Sequence, residues 1–395
     1  MKPRQSKTNA RNAIKPESPV VGVSRRIPQF TRLVLLVRAG GRCEFPGCNQ
    51  YLLKHPRTHS EANFSEVAHI VAFRKRGPRG TVGSRPSDIN KTENLMLLCR
   101  MDHKEIDTHP ARYPRETLER YKAQHEERIH HVTGLSDTQE TTIVQLKGNI
   151  NGKTVAIPAE HVTSAVAPRY PKDPKGCVID LTGMNASDGA LVPAVRETIS
   201  HSLATLCAAP FDGSSARHVS VFALAPIPFL VCFGSLLSDK LAVDFFQFHR
   251  DTKDWTWKTS GRKAYYSLRR LRNGTDRSKV ALMLSLSGRI AVGNLPSEID
   301  HRFSVYEVSL RGRTPDPTFL RRRDDLVRFR TLYQKFLGRV MEEHDAVKEI
   351  HFFPACPAPI AIACGHDLLH KAHPGLRVYD YDKSQGGFSF RLRIN

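Results

Sequence analysis

The strongest constraint on how this chain folds is a set of closely spaced metal-binding side chains near its start. Cys43 and Cys48 have four residues between them, and Cys99 and Asp102 have two residues between them. Two short clusters of this kind, distant in sequence, are typical of a structural metal site that joins two loops. Spacing nominates Asp102 as the fourth ligand, with the next residue, a histidine, or water as the alternatives. The competing interpretation makes these cysteines ordinary core residues.

A second group of polar side chains is interleaved with the first. His69 is a candidate general base, because a neutral imidazole can accept a proton near pH 7. Asn94 is a candidate for orienting that histidine. His103 and Asp107 are four residues apart, so on a helix they share one face and can address the same hard cation. Together these residues fit metal-dependent hydrolysis, although any one of them alone is more often structural.

Charge and hydropathy limit the classes of protein to which the chain can belong. The 395 residues carry a formal net charge of +21, and the first 100 hold 19 Lys and Arg against 6 Asp and Glu. A basic domain of this kind has the electrostatic character of a nucleic-acid binder. No apolar run is long enough to span a membrane, and the start of the chain lacks an apolar signal segment. We therefore expect a cytoplasmic protein with reduced cysteines and no membrane partner.

Changes in composition along the chain predict its domains. Residues 1–26 are basic and polar and are predicted to form a disordered tail. Residues 27–130 are predicted to form one compact domain that contains both groups of polar side chains. Residues 131–175 are interpreted as a connector with a small hairpin that turns at Asn151-Gly152. Residues 176–395 are assigned to a second domain.

Hydrophobic periodicity predicts helices at both ends of the first domain. Residues 27–39 are expected to form a helix with Leu33, Leu36 and Val37 on its apolar face. Residues 114–129 are expected to form a polar helix that begins at a proline.

The second domain contains an internal repeat. A strand, a Pro-x-Pro pair and an apolar helix occur around Pro226 and again around Pro357. Apolar strands that alternate with helices predict two doubly wound, parallel half-domains, over about 176–275 and 276–395. Ligands of open parallel sheets sit beyond the carboxyl ends of the strands, so a binding site is predicted at the turns there. The turn residues are Thr182, Gly183, Pro226, Ser287, Cys356 and Pro357.

Two tryptophans and a lysine are further candidates for a nucleotide site. Trp255 and Trp257 are separated by one residue, and Lys258 follows them. On a strand both rings would face the same side. A base could then stack on one ring while the ammonium group meets a phosphate. The competing interpretation places one or both rings in the core.

Several short motifs of the first domain occur together in the order of a known family. They are Ala68-His69-Ile70, Gly77-Pro78-Arg79, Asn94-Leu95-Met96-Leu97-Leu98-Cys99 and His103-x2-Ile106-Asp107. Over about residues 30–130 the chain resembles an HNH endonuclease of the zinc-containing ββα-metal type. The resemblance implies structural Zn²⁺, His69 as general base, Asn94 as the central motif residue and His103 as a ligand of catalytic Mg²⁺ or Mn²⁺.

This resemblance has two departures from the usual family pattern. Ala68 stands where many relatives have a metal ligand, with Asp107 or Glu66 as substitutes in this chain. Asp102 stands where Cys or His is usual. The first departure concerns the ligands of the catalytic metal, and the second concerns the ligands of the structural metal.

The second domain resembles the SAVED domain of bacterial anti-phage signalling systems. The resemblance is carried by Ala225-Pro226-Ile227-Pro228, Asp254-Trp255-Thr256-Trp257-Lys258 and Ala355-Cys356-Pro357-Ala358-Pro359. SAVED domains are similar to two fused CARF-type, Rossmann-like sensor units. The resemblance implies recognition of a cyclic oligonucleotide, expected here to be a dinucleotide, made by a partner nucleotidyltransferase. An HNH domain joined to SAVED is similar to CBASS effector nucleases, which ligand binding activates through homo-oligomerisation.

The leading hypothesis is a ligand-activated, metal-dependent endonuclease that degrades double-stranded DNA with little sequence specificity. A basic surface that binds phosphates favours this lack of specificity. The first alternative is a ligand-controlled DNA-binding regulator with a degenerate nuclease fold, which Ala68 makes conceivable. The second alternative is a constitutive restriction-type nuclease whose C-terminal half reads DNA. The C-terminal half is less basic than the first quarter of the chain, which argues against this alternative.

Overall fold

The computed structural model describes residues 26–81, 83–150, 156–184, 192–207, 218–237, 241–344, 347–382 and 386–394. The chain divides into two units between Leu135 and Ser136, and each is described by itself. The predicted tail, apart from Arg26, and the hairpin turn at Asn151-Gly152 lie outside the described residues. No helix among the described residues has the length and apolarity needed to cross a lipid bilayer.

The described residues of the first unit form a two-stranded antiparallel sheet and three α-helices. Its elements are α1 (Gln29–Arg38), β1 (Glu66–His69), β2 (Leu95–Leu98), α2 (Arg100–Thr108) and α3 (Arg115–Thr133). All four residues of β2 are buried, as its unbroken apolar sequence indicates. In the sheet, Glu66 pairs with Leu98 and His69 pairs with Leu95. The register therefore fixes both polar side chains of β1 relative to the start of α2.

The first helix buries only part of the predicted apolar face, because Leu36 packs against the core while the other two predicted residues are exposed. Leu35 is fully buried in α1, whereas Leu33 is 55% exposed and Val37 is 67% exposed. The helix itself lies within the predicted limits of 27–39. Its apolar residues cover nearly the whole circumference, so periodicity could not select the side that packs.

The second unit begins with a parallel sheet. Its elements are β3 (Glu140–Gly148), α4 (Ala159–Ala165), β4 (Tyr170–Pro171), β5 (Cys177–Leu181), α5 (Val192–Cys207), β6 (His218–Leu224), α6 (Ile227–Leu236) and β7 (Ala242–Phe246). Strand β3 pairs in parallel with β4, β5 and β6, and β6 pairs in parallel with β7. Residues 131–175 are therefore not a simple connector, because a strand within them is central to this sheet. The sequence missed this because β3 mixes charged and apolar residues.

A second, mixed sheet follows. Its elements are β8 (Tyr266–Arg272), β9 (Val280–Ser285), β10 (Ser304–Leu310), α7 (Arg323–Glu343), β11 (Glu349–Ala355), α8 (Ala358–His366), β12 (Gly375–Asp382) and β13 (Gly387–Ile394). The strand order is β13-β12-β11-β9-β10-β8. The four central strands are parallel, and the strand at each edge is antiparallel. The predicted doubly wound, all-parallel arrangement thus holds only for the centre of this sheet.

The internal repeat is visible as two equivalent strand–helix–strand units. Strand β6, helix α6 and strand β7 correspond to β11, α8 and β12. One hydrophobic core includes residues of α6, α8 and both sheets. The two sheets span about 140–246 and 266–394, so the first begins well before the predicted half-domain boundary at 176.

Candidate functional sites

The first unit brings four predicted metal ligands together. The ligand atoms of Cys43, Cys48, Cys99 and Asp102 all lie within 4.8 Å of one another. The Sγ atoms of Cys43 and Cys99 are each 3.1 Å from Oδ2 of Asp102. Three sulfur donors and one carboxylate in so small a space suit a tetrahedral ion such as Zn²⁺. His103, the alternative fourth ligand, makes its contacts elsewhere.

Burial disfavours the thiolate form of two cysteines in this four-donor group. Burial raises the pKa of the Cys43 thiol, and burial also raises the pKa of Cys48 to about 11. Burial opposes ionisation of Asp102 as well, but hydrogen bonds from the thiols of Cys48, Cys43 and Cys99 hold its pKa below the usual value. Metal binding requires thiolates, and a divalent ion would supply the charge that stabilises them.

The group also fixes the start of α2. Cys99 is the N-cap residue of this helix, and its Sγ accepts a hydrogen bond from the backbone N–H of Asp102 at 3.4 Å. The backbone N–H of Cys99 donates to Sγ of Cys43 at 3.3 Å. The helix that carries His103 and Asp107 therefore begins at the four-donor group.

His103 is held between two carboxylates. Its Nδ1 lies 2.7 Å from Oε2 of Glu66, and its Nε2 lies 3.5 Å from Oδ2 of Asp107. The two ring nitrogens point in different directions, so the two carboxylates occupy different sides of the imidazole. Glu66 is thereby suited to orient His103, while Nε2 and Asp107 can share a cation, a common arrangement at metal sites. Glu66, the other substitute ligand suggested by the sequence, thus contacts Nδ1 rather than Nε2 of His103.

A buried arginine of the Gly77-Pro78-Arg79 motif supports Asp107. Arg79 is only 6% exposed. Its guanidinium donates to the carbonyl oxygens of Ile70 at 2.6 Å and Ile106 at 2.8 Å, and to Oδ1 of Asp107 at 3.1 Å. Charge-assisted bonds of this kind hold a carboxylate in a defined orientation. The burial of Arg79 could not be predicted from the sequence, since arginine in a glycine-rich turn is usually exposed.

The candidate base is bonded to an asparagine, but not to the predicted one. Nε2 of His69 lies 3.0 Å from Oδ1 of Asn90. Asn94 instead accepts a hydrogen bond from the backbone N–H of Val71 at 2.9 Å and donates to the carbonyl oxygens of Val71 and Ile89. Asn94 therefore fixes the backbone around the site, and its predicted contact with His69 is wrong.

In the second unit, six of the nine predicted ligand-binding residues line one cavity of about 890 Å³. They are Thr182, Gly183, Pro226, Ser287, Cys356 and Pro357. The cavity forms where β5, β6, β9 and β11 end, as the rule for open parallel sheets predicts. Helices α6 and α8 both begin at it, at Pro226 and Pro357.

Other polar side chains also line this cavity, although no motif in the sequence indicated them. They are Asn149, Gln247, Arg250, Asp380, Asp382 and Arg391, with the aromatic rings of Phe248 and Tyr381. Burial raises the pKa of Asp380, and Asp382 forms an ion pair with Arg391 at 3.2 Å. The cavity thus combines cationic, anionic and aromatic groups with two helix N-termini, which favour anions.

The tryptophan cluster does not belong to this cavity. Trp255 is 1% exposed, and its ring packs against Phe222 and Phe248 with centroids 5.2 Å apart in each pair. Trp257 is partly buried against the core, and Nζ of Lys258 is 2.7 Å from Asp254. The predicted stacking role of Trp255 is wrong, since the ring fills the core. Trp257 and Lys258 do not line the cavity either.

Comparison with known proteins identifies a domain family in each unit. Residues 43–109 match the model of the HNH endonuclease family. Residues 206–394 match the SAVED model, described as the SMODS-associated and fused to various effectors sensor domain. The chain therefore carries an HNH endonuclease domain followed by a SAVED sensor domain, which confirms the resemblance seen in its motifs.

Similar solved structures include bacterial SAVED/CARF-domain containing receptors called Cap4. The Acinetobacter baumannii receptor with the cyclic trinucleotide 2'3'3'-cAAA is 12% identical, with a TM-score of 0.43 over 78% of this chain and 64% of that chain. The Moraxella osloensis receptor is 8% identical, with a TM-score of 0.36 over 74% of this chain and 60% of that chain. This chain thus spans less than two thirds of their length. No curated protein gives a significant sequence match.

Proposed function

We propose that this protein is a metal-dependent endonuclease that cuts double-stranded DNA once its SAVED domain binds a cyclic oligonucleotide. The observation that carries the proposal is the presentation of His103 and Asp107 on one face of α2, in an HNH domain that also holds His69 at the end of β1. By analogy with the systems that the second domain resembles, its setting is bacterial anti-phage defence by abortive infection.

The proposed chemistry is hydrolysis of a phosphodiester by water. Nε2 of His103 and Oδ2 of Asp107 would hold Mg²⁺ or Mn²⁺, which neutralises phosphate charge when bound. Glu66 accepts the Nδ1 proton of His103 and so directs Nε2 towards Asp107. Arg79 fixes the other oxygen of Asp107. His69 removes the proton of the attacking water.

The four-donor group is proposed to hold structural Zn²⁺ through Cys43, Cys48, Cys99 and Asp102. The support is the convergence of the four donor atoms within 4.8 Å. This ion would stabilise the fold of the HNH domain and the start of α2, without taking part in the reaction.

The cavity of the SAVED domain is proposed to bind the cyclic oligonucleotide, and a dinucleotide remains the expected size. The N-termini of α6 and α8 and the guanidinium of Arg250 suit its phosphates. The rings of Phe248 and Tyr381 suit its bases. We further propose that ligand binding brings copies of the chain together, as the resemblance to CBASS effectors implies.

The test is a cleavage assay with the purified full chain. Linear duplex DNA is incubated with Mg²⁺ or Mn²⁺ and a panel of cyclic di- and trinucleotides, and light scattering follows the oligomeric state. We expect one ligand to trigger both cleavage and assembly. His69→Ala should abolish cleavage while ligand binding, measured by calorimetry, stays unchanged. Ligand-dependent DNA binding with no nicking under any of these conditions would contradict the proposal and support the DNA-binding regulator.

A further inference from the structure

We infer that Asn90 sets the tautomer of His69, so that Nδ1 is the atom that removes the proton from water. This inference rests on the proposed nuclease function and deepens it. It assigns Asn90 as a positioning residue, a role that the sequence analysis gave to Asn94.

The contact between the two side chains determines which ring nitrogen of His69 carries the proton. Oδ1 of Asn90 is a carbonyl oxygen, which only accepts hydrogen bonds. It lies 3.0 Å from Nε2 of His69, so Nε2 must carry the proton in this contact. A neutral imidazole has one protonated nitrogen, and Nδ1 therefore keeps its lone pair.

The position of Asn90 is itself fixed by neighbouring residues. Asn90 is only 8% exposed, and its backbone N–H donates to Oδ1 of Asp88 at 3.0 Å. The carbonyl oxygen of the adjacent Ile89 accepts a hydrogen bond from Nδ2 of Asn94 at 2.9 Å. Asn94 thus acts on the base indirectly, since it holds the backbone that presents Asn90.

This arrangement fits the proton transfer that hydrolysis needs. The O–H bond of water breaks, and its proton binds the lone pair of Nδ1. The water oxygen forms a bond to phosphorus, and the leaving oxygen departs with the electron pair of the broken P–O bond. The imidazolium that results carries its charge partly on the Nε2–H group, where the carbonyl dipole of Asn90 stabilises it.

The direct test is the tautomer of His69 in the metal-free, DNA-free protein. The full chain is labelled with ¹⁵N-histidine, and long-range ¹H–¹⁵N correlation spectra are recorded above neutral pH. His69→Gln identifies the resonances. We expect the wild type to show a protonated Nε2 and an unprotonated Nδ1. A protonated Nδ1, or an equal mixture of tautomers, would overturn the inference.

Two variants test the consequence for catalysis. Asn90→Leu has a similar volume but no acceptor, and should lower kcat at least about tenfold with DNA affinity unchanged. Asn90→Asp keeps an acceptor and should restore most of the rate. Its carboxylate stabilises the imidazolium, so the acid limb of the pH–rate profile should move to higher pH. Equal loss in both variants, with an unchanged pH profile, would mean that Asn90 is only structural.

Different results would contradict the proposed nuclease function and the role of Asn90. If no ligand or metal elicits cleavage, the proposed function fails, whereas the tautomer of His69 still reports on its contact with Asn90. If cleavage occurs and the spectra show Nδ1 protonated, only the assignment of Asn90 fails.

Discussion

Gly234 of α6 and Gly365 of α8 occupy equivalent positions where the two helices cross. A β-carbon on Gly234 would collide with the carbonyl oxygen of Ile362, and one on Gly365 would collide with that of Val231. The contacts are reciprocal, and the four residues correspond pairwise in the internal repeat. The two repeat units are therefore joined by helix backbones in direct contact, which only glycine permits.

We expect Gly234→Ala to destabilise the SAVED domain. The methyl group meets backbone rather than a flexible side chain, so the helices must separate, at a cost of about 1–3 kcal/mol or more. Thermal unfolding of the full chain measures the effect. Gly338→Ala in α7 is the matched control, because a β-carbon there meets nothing within 4 Å. This control should raise stability slightly, by about 0.5–1 kcal/mol. Equal effects at both positions would contradict the close crossing.

Loss of one metal donor should release the ion and loosen the HNH domain. Asp102→Ala is expected to remove bound zinc, detected by elemental analysis, and to lower the melting temperature of this domain by more than about 5 °C. Asp102→Cys supplies a fourth thiolate and should retain the metal. Cys177→Ala, a thiol of the other unit, is the control. A protein that contains no zinc even as the wild type would refute the assignment.

Removal of the buried guanidinium should destabilise the first unit. Arg79→Met leaves the carbonyl oxygens of Ile70 and Ile106 without their donor, at a cost of more than about 2 kcal/mol. It also frees Asp107, so cleavage should fall as well. Urea denaturation followed by circular dichroism measures the stability. The exposed Arg76→Met should change it by less than about 0.5 kcal/mol.

A turn next to the candidate base should contact DNA phosphates. Arg74, Lys75 and Arg76 are exposed and directly follow Phe73, whose ring centroid is 6.1 Å from that of His69. Triple substitution by alanine should weaken DNA binding. It should also reduce the slope of log K against log salt concentration by about 0.9 for each DNA phosphate that the variant no longer neutralises.

The control for this prediction is a second triple variant that loses the same amount of positive charge. Arg32, Arg57 and Arg120 are exposed cations on other elements of the first unit. Their triple substitution by alanine should leave the salt slope close to that of the wild type. If both triple variants reduce the slope equally, DNA contact is spread over the whole unit rather than concentrated at the turn.

Two buried histidines should make the second unit sensitive to acid. Burial, followed by the charges of Arg169 and Arg323, lowers the pKa of His218 to about 4, and burial with Lys258 does the same to His249. The unfolded chain, with an ordinary pKa near 6.5, binds more protons between these values. Stability should therefore fall as the pH drops from about 6.5 to about 4.

Glutamine variants test this acid sensitivity. His218→Gln and His249→Gln should flatten the dependence of the free energy of unfolding on pH in this range. The exposed His201→Gln is the control and should leave the profile unchanged. A wild-type profile that is flat between pH 4 and 6.5 would contradict the buried, neutral state of the two histidines.

The sequence was most informative where short-range patterns determine the structure. The apolar run of β2, the helix with His103 and Asp107, and the Pro-x-Pro repeat all follow from local spacing. The cavity at the strand ends also follows, since topology alone locates it. The convergence of Asp102 with the three cysteines agrees with their spacing in the sequence, and its role as a zinc ligand stays a prediction.

The sequence was least informative where distant segments decide the environment of a side chain. Trp255 is surrounded by polar residues in sequence, but Phe222 and Phe248 enclose its ring. Arg79 is buried because it donates hydrogen bonds to carbonyl and carboxylate groups from other segments. Asn90 had no motif to mark it, because its role depends on its distance from His69.

Cys99 gives the nuclease domain a point of chemical vulnerability. This one thiol is a donor of the four-donor group and also the cap of the helix that presents His103 and Asp107. Oxidation or alkylation of Cys99 would remove a metal ligand and release the first turn of that helix together. If the proposed zinc and nuclease functions hold, loss of this one thiol should therefore inactivate the nuclease domain even when the sensor has bound its ligand.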